Sequence, residues 1–411
     1  MTDFSLYFSV LMSFVCALAL GLFSIPKIIY VAKRKRLLDL PDNQRKLHAR
    51  VVPNLGGVGI FFAYIIVSSL FIDPISFTKW TYIAAASLVL FVTGIKDDLV
   101  EVSPTKKFFS QTIAAIIISF FAHIRLTSFY GVFGIQELPI WFSYAFTILG
   151  CVFVTNAFNL IDGIDGLAGS IGVLAAFLLG AVLFAGGHQS EACIAFSLAG
   201  GIAGFLWYNV APARIFMGDT GSLLIGFTLS ILCLLTIETY HSDGAAKTLV
   251  HSQQGTLILS LSVLFVPLFD TFRVFTTRAL KGHSPFKADR THLHHYLLDL
   301  GFSHSQSVVI LLIANAFILT VAFLVQDINL YMAIGTMLFV AFGLFAALFI
   351  LRHRKAVTSA LNAKVLATEG SNLNAGPNFA SIHFQEKEMN DHGQRPIQLQ
   401  TTELLEISEE I

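Results

Sequence analysis

Apolar runs about as long as a bilayer is thick alternate with short polar connectors along this chain. They lie at roughly 4–32, 55–73, 80–96, 108–124, 141–158, 167–186, 191–208, 222–240, 254–276, 306–325 and 330–351. A membrane helix needs about 17 to 25 mostly apolar residues. The pattern therefore predicts an all-α polytopic integral membrane protein of about eleven transmembrane helices. The connector after the first run holds Lys33, Arg34, Lys35, Arg36, Arg45, Lys46 and Arg50. The positive-inside rule puts such a loop in the cytoplasm, so the N-terminus is expected outside. Counting crossings from there places 33–54, 97–107, 159–166, 209–221 and 277–305 on the inner face. Those five connectors hold nearly every concentrated set of Asp, Asn, His, Lys and Arg, whereas the outer ones are short or bland. The pattern predicts a cytosolic active site with a membrane-facing wall.

Composition agrees with this reading and narrows it. Of 411 residues, 55% are hydrophobic and 13% charged, about half the charged fraction usual in soluble domains. Formal net charge is zero, so no global basic field points to nucleic acid. Cys16, Cys151, Cys193 and Cys233 all fall in apolar runs without CxxC spacing, and read as small buried hydrophobes. The first run leads into a basic cluster rather than a small-residue cleavage site, which predicts a retained helix. Residues 1–352 are read as the membrane domain. Residues 353–411 are polar, end on Glu403, Glu406, Glu409 and Glu410, and fit a weakly structured cytosolic tail.

The chemistry concentrates in the inner connectors. The stretch from Asn156 to Gly169 carries Asn159, Asp162 and Asp165 between two apolar runs, where ionisable groups are costly unless partnered. If helical, these three side chains fall on one drifting face; a helix cap followed by a turn is the alternative. Lys96-Asp97-Asp98, with Lys106 and Lys107 beyond, sets adjacent carboxylates at a membrane edge. Their repulsion raises one pKa or recruits a cation, which suits a base or a Mg²⁺ site. Asp219 stands between glycines in Phe216-Met217-Gly218-Asp219-Thr220-Gly221-Ser222, as a hard oxygen ligand for Mg²⁺ on phosphates or a helix cap. Pro53-Asn54-Leu55-Gly56-Gly57 reads either as a phosphate-binding helix start or as small-residue packing. The last connector, with the helix end leading into it, brings Asp270, Arg273, Arg290, His292, His294, His295 and His304. Its His-x-His-His lacks the i, i+4 spacing of the helical zinc motif, and fits donors to a diphosphate or sugar. No nucleophile elbow and no GxxxxGK[ST] loop is present, which leaves metal-assisted phosphoryl transfer at the membrane surface.

Taken in order, Lys96-Asp97-Asp98, Asn156 to Gly169, Phe216 to Ser222 and His292-Leu293-His294-His295 resemble the motifs of the polyprenyl-phosphate N-acetylhexosamine-1-phosphate transferases, over about residues 1–350. The resemblance implies transfer of a sugar 1-phosphate from a UDP-sugar to undecaprenyl phosphate, with Mg²⁺, or Mn²⁺ in its place, and release of UMP. It implies that Asp219 with Asn159 holds the metal, that Asp97 and Asp98 act at the lipid phosphate, and that Lys46 and Lys107 contact phosphate. Asn156, Asp162 and Asp165 would line the substrate, with the two carboxylates at its nucleotide end, and Arg290, His292, His294 and His295 would grip the diphosphate or sugar. A covalent Asp intermediate and direct attack by the lipid phosphate both stay open. The His-x-His-His pattern is similar to the WecA and TagO branch, which points to UDP-N-acetylglucosamine over another UDP-N-acetylhexosamine or UDP-N-acetylmuramoyl-pentapeptide. One departure is Val51, where the family's first loop proline would stand. The resemblance further implies a bacterial inner-membrane protein in contact with membrane lipid, with a homodimer compatible. A cation-coupled transporter is the rival from another class, although its site would lie nearer the midplane.

Overall fold

The computed structural model of the protein describes residues 3–37, 52–243, 250, 252–282 and 291–373. Its described residues are helical throughout except for connectors and one isolated antiparallel bridge, Ser128 with Glu137. The helices are α1 (Asp3–Lys35), α2 (Gly56–Phe71), α3 (Lys79–Leu99), α4 (Pro104–Ile116), α5 (Ile140–Ile161), α6 (Leu167–Ala185) and α7 (Gln189–Asn209). They continue with α8 (Gly218–Asp243), α9 (Gln253–Val263), α10 (Phe265–Leu280), α11 (Leu293–Asp299), α12 (His304–Val325) and α13 (Leu330–Leu373).

Each of the apolar runs expected to be helical falls on a helix or a helix pair, but they are not equal as membrane spans. Seven helices among the described residues are long and apolar enough to cross a bilayer, and eight if the bent pair α9–α10 is one span. The expected count of about eleven is thus not reached on length and apolarity. Helix α2 has only 16 residues, α3 bears Lys79, Lys96, Asp97 and Asp98, and α4 ends after 13 residues in a π-helical turn, Ile117–Phe121.

Helix α8 is the hub, packed against α2, α3, α5, α6 and α9. Leu224, Ile225, Phe227, Leu229, Ile231 and Leu232 have no exposed surface, and a helix apolar all round belongs in the interior. By contrast α12 and α13 present Val309, Ile313, Phe317, Phe339, Phe342 and Phe349 outward, as helices facing lipid do. Where water cannot compete, helix contact depends on close backbone approach. A Cβ on Gly204 of α7 would stand 2.8 Å from the Leu18 carbonyl of α1, so glycine permits that crossing.

Between α9 and α10 the helix axis bends by 71° at Leu264. Pro267 follows at once and removes one backbone donor. The groups freed by the break are met by Asn315 of α12: its amide donates to the Val263 carbonyl at 3.0 Å and accepts from the Val266 N–H at 3.1 Å. Asn315→Leu strands both groups in an apolar setting, at a cost of about 1–3 kcal/mol each. Thermal unfolding in detergent is expected to show a lower Tm for Asn315→Leu and a smaller loss for Asn315→Gln.

The chain divides into two compact units, Met1–Ala356 and Val357–Ile411. The polar segment expected to be weakly structured begins as helix, since α13 runs to Leu373. Its Ala, Leu and Lys residues favour that state.

Candidate active site

The N-terminus of α8 is gripped from three sides. The Phe216 N–H donates to the Pro53 carbonyl at 2.8 Å, and the N–H groups of Gly56 and Gly57 donate to the Phe216 and Met217 carbonyls at 2.9 and 2.8 Å. Those glycine N–H groups bind backbone rather than phosphate. A Cβ on Gly57 would fall 2.1 Å from the Gly221 nitrogen, and one on Gly94 of α3 would fall 2.5 Å from the Thr220 Cα. Gly218 turns the chain into the helix at φ +72°, a conformation side chains disfavour.

Asp98 completes the grip. Its Oδ1 accepts from the Asp219 N–H at 2.7 Å and the Asn54 amide at 3.3 Å; its Oδ2 accepts from the Thr220 N–H at 3.0 Å and hydroxyl at 2.6 Å. A carboxylate at a helix N-terminus meets unpaired N–H groups and the positive end of the dipole. Asp98 thereby caps α8 from a different helix. Burial outweighs these hydrogen bonds and raises its pKa to about 7.

Its neighbour Asp97 faces elsewhere. Asp97 accepts from the Val102 N–H at 2.6 Å and meets the Lys107 ammonium at 2.7 Å. The same ammonium lies 2.5 Å from Asp219, so Lys107 stands between two carboxylates. Burial alone would lower the Lys107 pKa, but Asp219 and Asp97 hold it above the ordinary value. On the far side of Asp219, the Asn159 amide donates to Oδ1 at 3.2 Å and to the Ser222 hydroxyl at 2.8 Å.

Asp162 lines a cavity of about 280 Å³ with Asn54, Asn159, Gly163, Asn209, Met217 and Asp219. Helix α5 stops at Ile161 and Asp162 is its C-cap. The helical face expected for Asn159, Asp162 and Asp165 is therefore broken by a turn, the capping alternative. Burial, and then the charges of Asp219, Asp98 and Asp165, raise the Asp162 pKa to about 7. Asp165 is buried and turns toward the Ala213 N–H, 3.1 Å away, with His304 at 3.8 Å. Asn209 fastens the same two loops, accepting from the Gly166 N–H and donating to the Ile215 carbonyl, each at 2.9 Å.

Of the other residues picked out from sequence, Asn156 pairs with Gln111 of α4 at 2.6 Å and the Val152 carbonyl at 2.8 Å, and it does not line the cavity. His294 packs on the turn, close enough that a Cβ on Gly163 would fall 2.5 Å from its Nε2. The His295 ring lies beside it, 4.2 Å away and tilted by 48°, and the His292 ring lies parallel to His294 at 5.9 Å. Lys46 and Arg290 lie outside the described residues. Sequence reasoning passed over Asn54, Gln111, Thr220 and Ser222 as site-building residues. Gln111 had a signal: it is a polar side chain four residues after Lys107 in an apolar run, hence on the same helix face.

The donor set fits a hard divalent cation. Asp219 offers carboxylate oxygens, Asn159 would offer its amide oxygen once the NH₂ that now faces Asp219 is turned away, and Lys107 already places one positive charge between Asp97 and Asp219. Among the described residues no three His, Cys, Asp or Glu side chains form a cage of their own. Phosphate and water would therefore complete the coordination, as they do around Mg²⁺.

Burial, and then electrostatic repulsion from the neighbouring His295, lowers the His294 pKa to about 3. The folded protein thus keeps this ring neutral while the unfolded chain protonates it below about pH 6.5. Its contribution to stability is full above that pH and declines as pH falls toward the folded value. The Tm is expected to drop between about pH 7.5 and about pH 5, and His294→Gln to drop less over the same interval.

Comparison with known proteins converges on one group. The family described as Glycosyl transferase family 4 matches residues 80–237, the segment from α3 to α8 that supplies Asp97, Asp98, Lys107, Asn159 and Asp219. A Bacillus subtilis relative named as a probable undecaprenyl-phosphate N-acetylglucosaminyl 1-phosphate transferase is 32% identical over 307 residues, 74% of this chain and 81% of the relative. An Escherichia coli K12 protein named undecaprenyl-phosphate alpha-N-acetylglucosaminyl 1-phosphate transferase is 32% identical over 305 residues, 72% of this chain and 78% of the relative. A Yersinia pestis protein of the same name is 32% identical over 296 residues, covering 70% and 76%.

Proposed function

This chain belongs to glycosyl transferase family 4, and we propose that it transfers N-acetylglucosamine 1-phosphate from UDP-N-acetylglucosamine to undecaprenyl phosphate, releasing UMP. The observation that carries this reading is Lys107 held between Asp97 and Asp219, with Asn159 on the far side of Asp219, beside a cavity that Asp162 also lines. A transferring phosphoryl group spreads negative charge over its oxygens, and a protein serves it mainly by positioning and by neutralising charge.

In this reading Asp219 and Asn159 hold Mg²⁺, for which Mn²⁺ would substitute. When bound, the metal supplies charge neutralisation on the diphosphate. Lys107 offers its ammonium to the incoming lipid phosphate or the diphosphate, and Asp97 holds that ammonium in place. Asp98 holds the start of α8, and so the position of Asp219. The bond between the β-phosphorus and the oxygen bridging to the α-phosphate breaks as a lipid phosphate oxygen attacks in line; UMP leaves with the bridging oxygen. Asp97 and Asp219 are both engaged by Lys107. That favours direct attack by the lipid phosphate over a carboxylate nucleophile.

The same proposal takes in the membrane arrangement. The basic residues closing α1 and those at Arg352 to Lys355 support a cytosolic face for this site. On that basis the N-terminus is outside, α2, α3 and α4 join the seven or eight long spans to give about eleven crossings, and the enzyme resides in a bacterial inner membrane. Residues 1–352 carry the chemistry, and the tail is cytosolic.

UMP release by purified protein with undecaprenyl phosphate and Mg²⁺ tests the donor. UDP-N-acetylglucosamine is expected to give turnover, and UDP-N-acetylmuramoyl-pentapeptide none. Release with the pentapeptide alone would overturn the choice of sugar and keep the chemistry.

A further inference from the structure

Asp270 and Arg273 form a buried ion pair that the phosphoryl chemistry above does not use. They lie one turn apart on α10, 2% and 7% exposed, with Arg273 Nη2 2.7 Å from Asp270 Oδ1. Asp270 Oδ2 lies 2.9 Å from His292 Nδ1, and the Leu293 N–H shares both oxygens at 3.2 and 3.3 Å. Arg273 is fixed in turn: it donates to the Thr291 carbonyl and lies over the rings of Phe345 at 4.7 Å and Tyr296 at 5.4 Å. A buried ion pair is weak as a source of stability, so its geometry calls for another reason. That geometry converges on one imidazole, His292, which caps the start of α11 and lies parallel to the ring of His294, the residue that packs on Gly163.

We propose that Asp270, locked by Arg273, is a positioning residue that holds His292 in one tautomer and one orientation for the donor sugar. An ionised carboxylate only accepts hydrogen bonds. The Nδ1 nitrogen therefore carries the proton, and in the neutral ring Nε2 keeps the lone pair. A neutral Nε2 is an acceptor, which suits a sugar hydroxyl or the acetamido N–H and does not suit a deprotonated diphosphate. This assigns His292 to the sugar end of the UDP-N-acetylhexosamine, and it rests on the proposed donor for the identity of that partner.

The test uses full-length protein in detergent, labelled with ¹⁵N in the histidine rings and assigned by comparison with His292→Gln. The ¹⁵N spectrum of the wild type is expected to show His292 as the Nδ1–H tautomer. In Asp270→Asn the amide oxygen satisfies the Leu293 N–H while the NH₂ faces the ring, which drives His292 to the Nε2–H form; a carboxylate-to-amide change behind a catalytic histidine acts in this way. The same variant is expected to raise KM for the UDP-sugar about tenfold, with KM for the lipid phosphate unchanged, and Asp270→Glu to recover part of both effects. An Nε2–H ring in the wild type, an unchanged tautomer in Asp270→Asn, or equal losses for both substrates would each overturn the proposal. The wild-type spectrum decides the tautomer even where Asp270→Asn fails to fold. Because that reading needs no turnover, a wild type that shows the Nδ1–H ring but releases no UMP would refute the donor reaction and leave the positioning intact.

Discussion

Asp219→Asn is expected to reduce UMP release by roughly a thousandfold, the upper range for removing one preorganised charge-stabilising group, while the protein unfolds at nearly its normal temperature. The substitution is close to isosteric. The backbone N–H of residue 219 that Asp98 accepts is untouched, so α8 keeps its start. What disappears is the negative charge shared by Lys107 and the metal proposed at Asp219 and Asn159. Lys107 would then pair with Asp97 alone. Turnover, Tm in detergent and the elution volume of the purified variant check this together. Near-normal turnover would remove Asp219 from the chemistry.

Asp98→Ala has the opposite signature. It strands four donors at once: the N–H groups of Asp219 and Thr220, the Thr220 hydroxyl and the Asn54 amide. Each buried donor left unsatisfied costs about 1–3 kcal/mol, and the stranded donors surround the Met217–Thr220 turn. Stability and turnover are therefore expected to fall together. Asp98→Asn, whose amide oxygen still accepts, is expected to lose less, and Thr220→Val less again. An Asp98→Ala protein that melts normally yet is inactive would make Asp98 a reacting group instead of the anchor of α8.

Much of this site could be read in the sequence because lipid makes polar side chains conspicuous. Asp97, Lys107, Asn159, Asp162 and Asp219 stand at the edges of apolar runs; Asn159, Asp162 and Asp219 line one cavity, and Lys107 joins Asp97 to Asp219. What the sequence hid is the division of labour between neighbours. Asp97 and Asp98 are adjacent and chemically identical, yet at the end of α3 one carboxylate points to Lys107 and the other to the start of α8. Asn156 and Asn159 lie one turn apart on α5, and the first is spent on Gln111. Phosphate binding and close packing both stayed open for Gly56 and Gly57, because their pairing with residues 216–217, far away in sequence, has no local signature. The 71° break at Leu264 was hidden for the same reason: Asn315, which satisfies it, lies some fifty residues on. Pairings of that kind are tertiary. The helix periodicity that marked the runs carries no information about them.

In the proposed reaction a phosphorylated sugar moves intact from nucleotide to lipid. UDP-N-acetylglucosamine labelled in the β-phosphate, with purified protein, undecaprenyl phosphate and Mg²⁺, follows that transfer. The label is expected in the lipid fraction, with one UMP released for each lipid diphosphate formed, and transfer should stop on chelation and in Asp219→Asn. Label that stays in the aqueous phase as free sugar phosphate, or sugar that reaches the lipid without it, would contradict the claim.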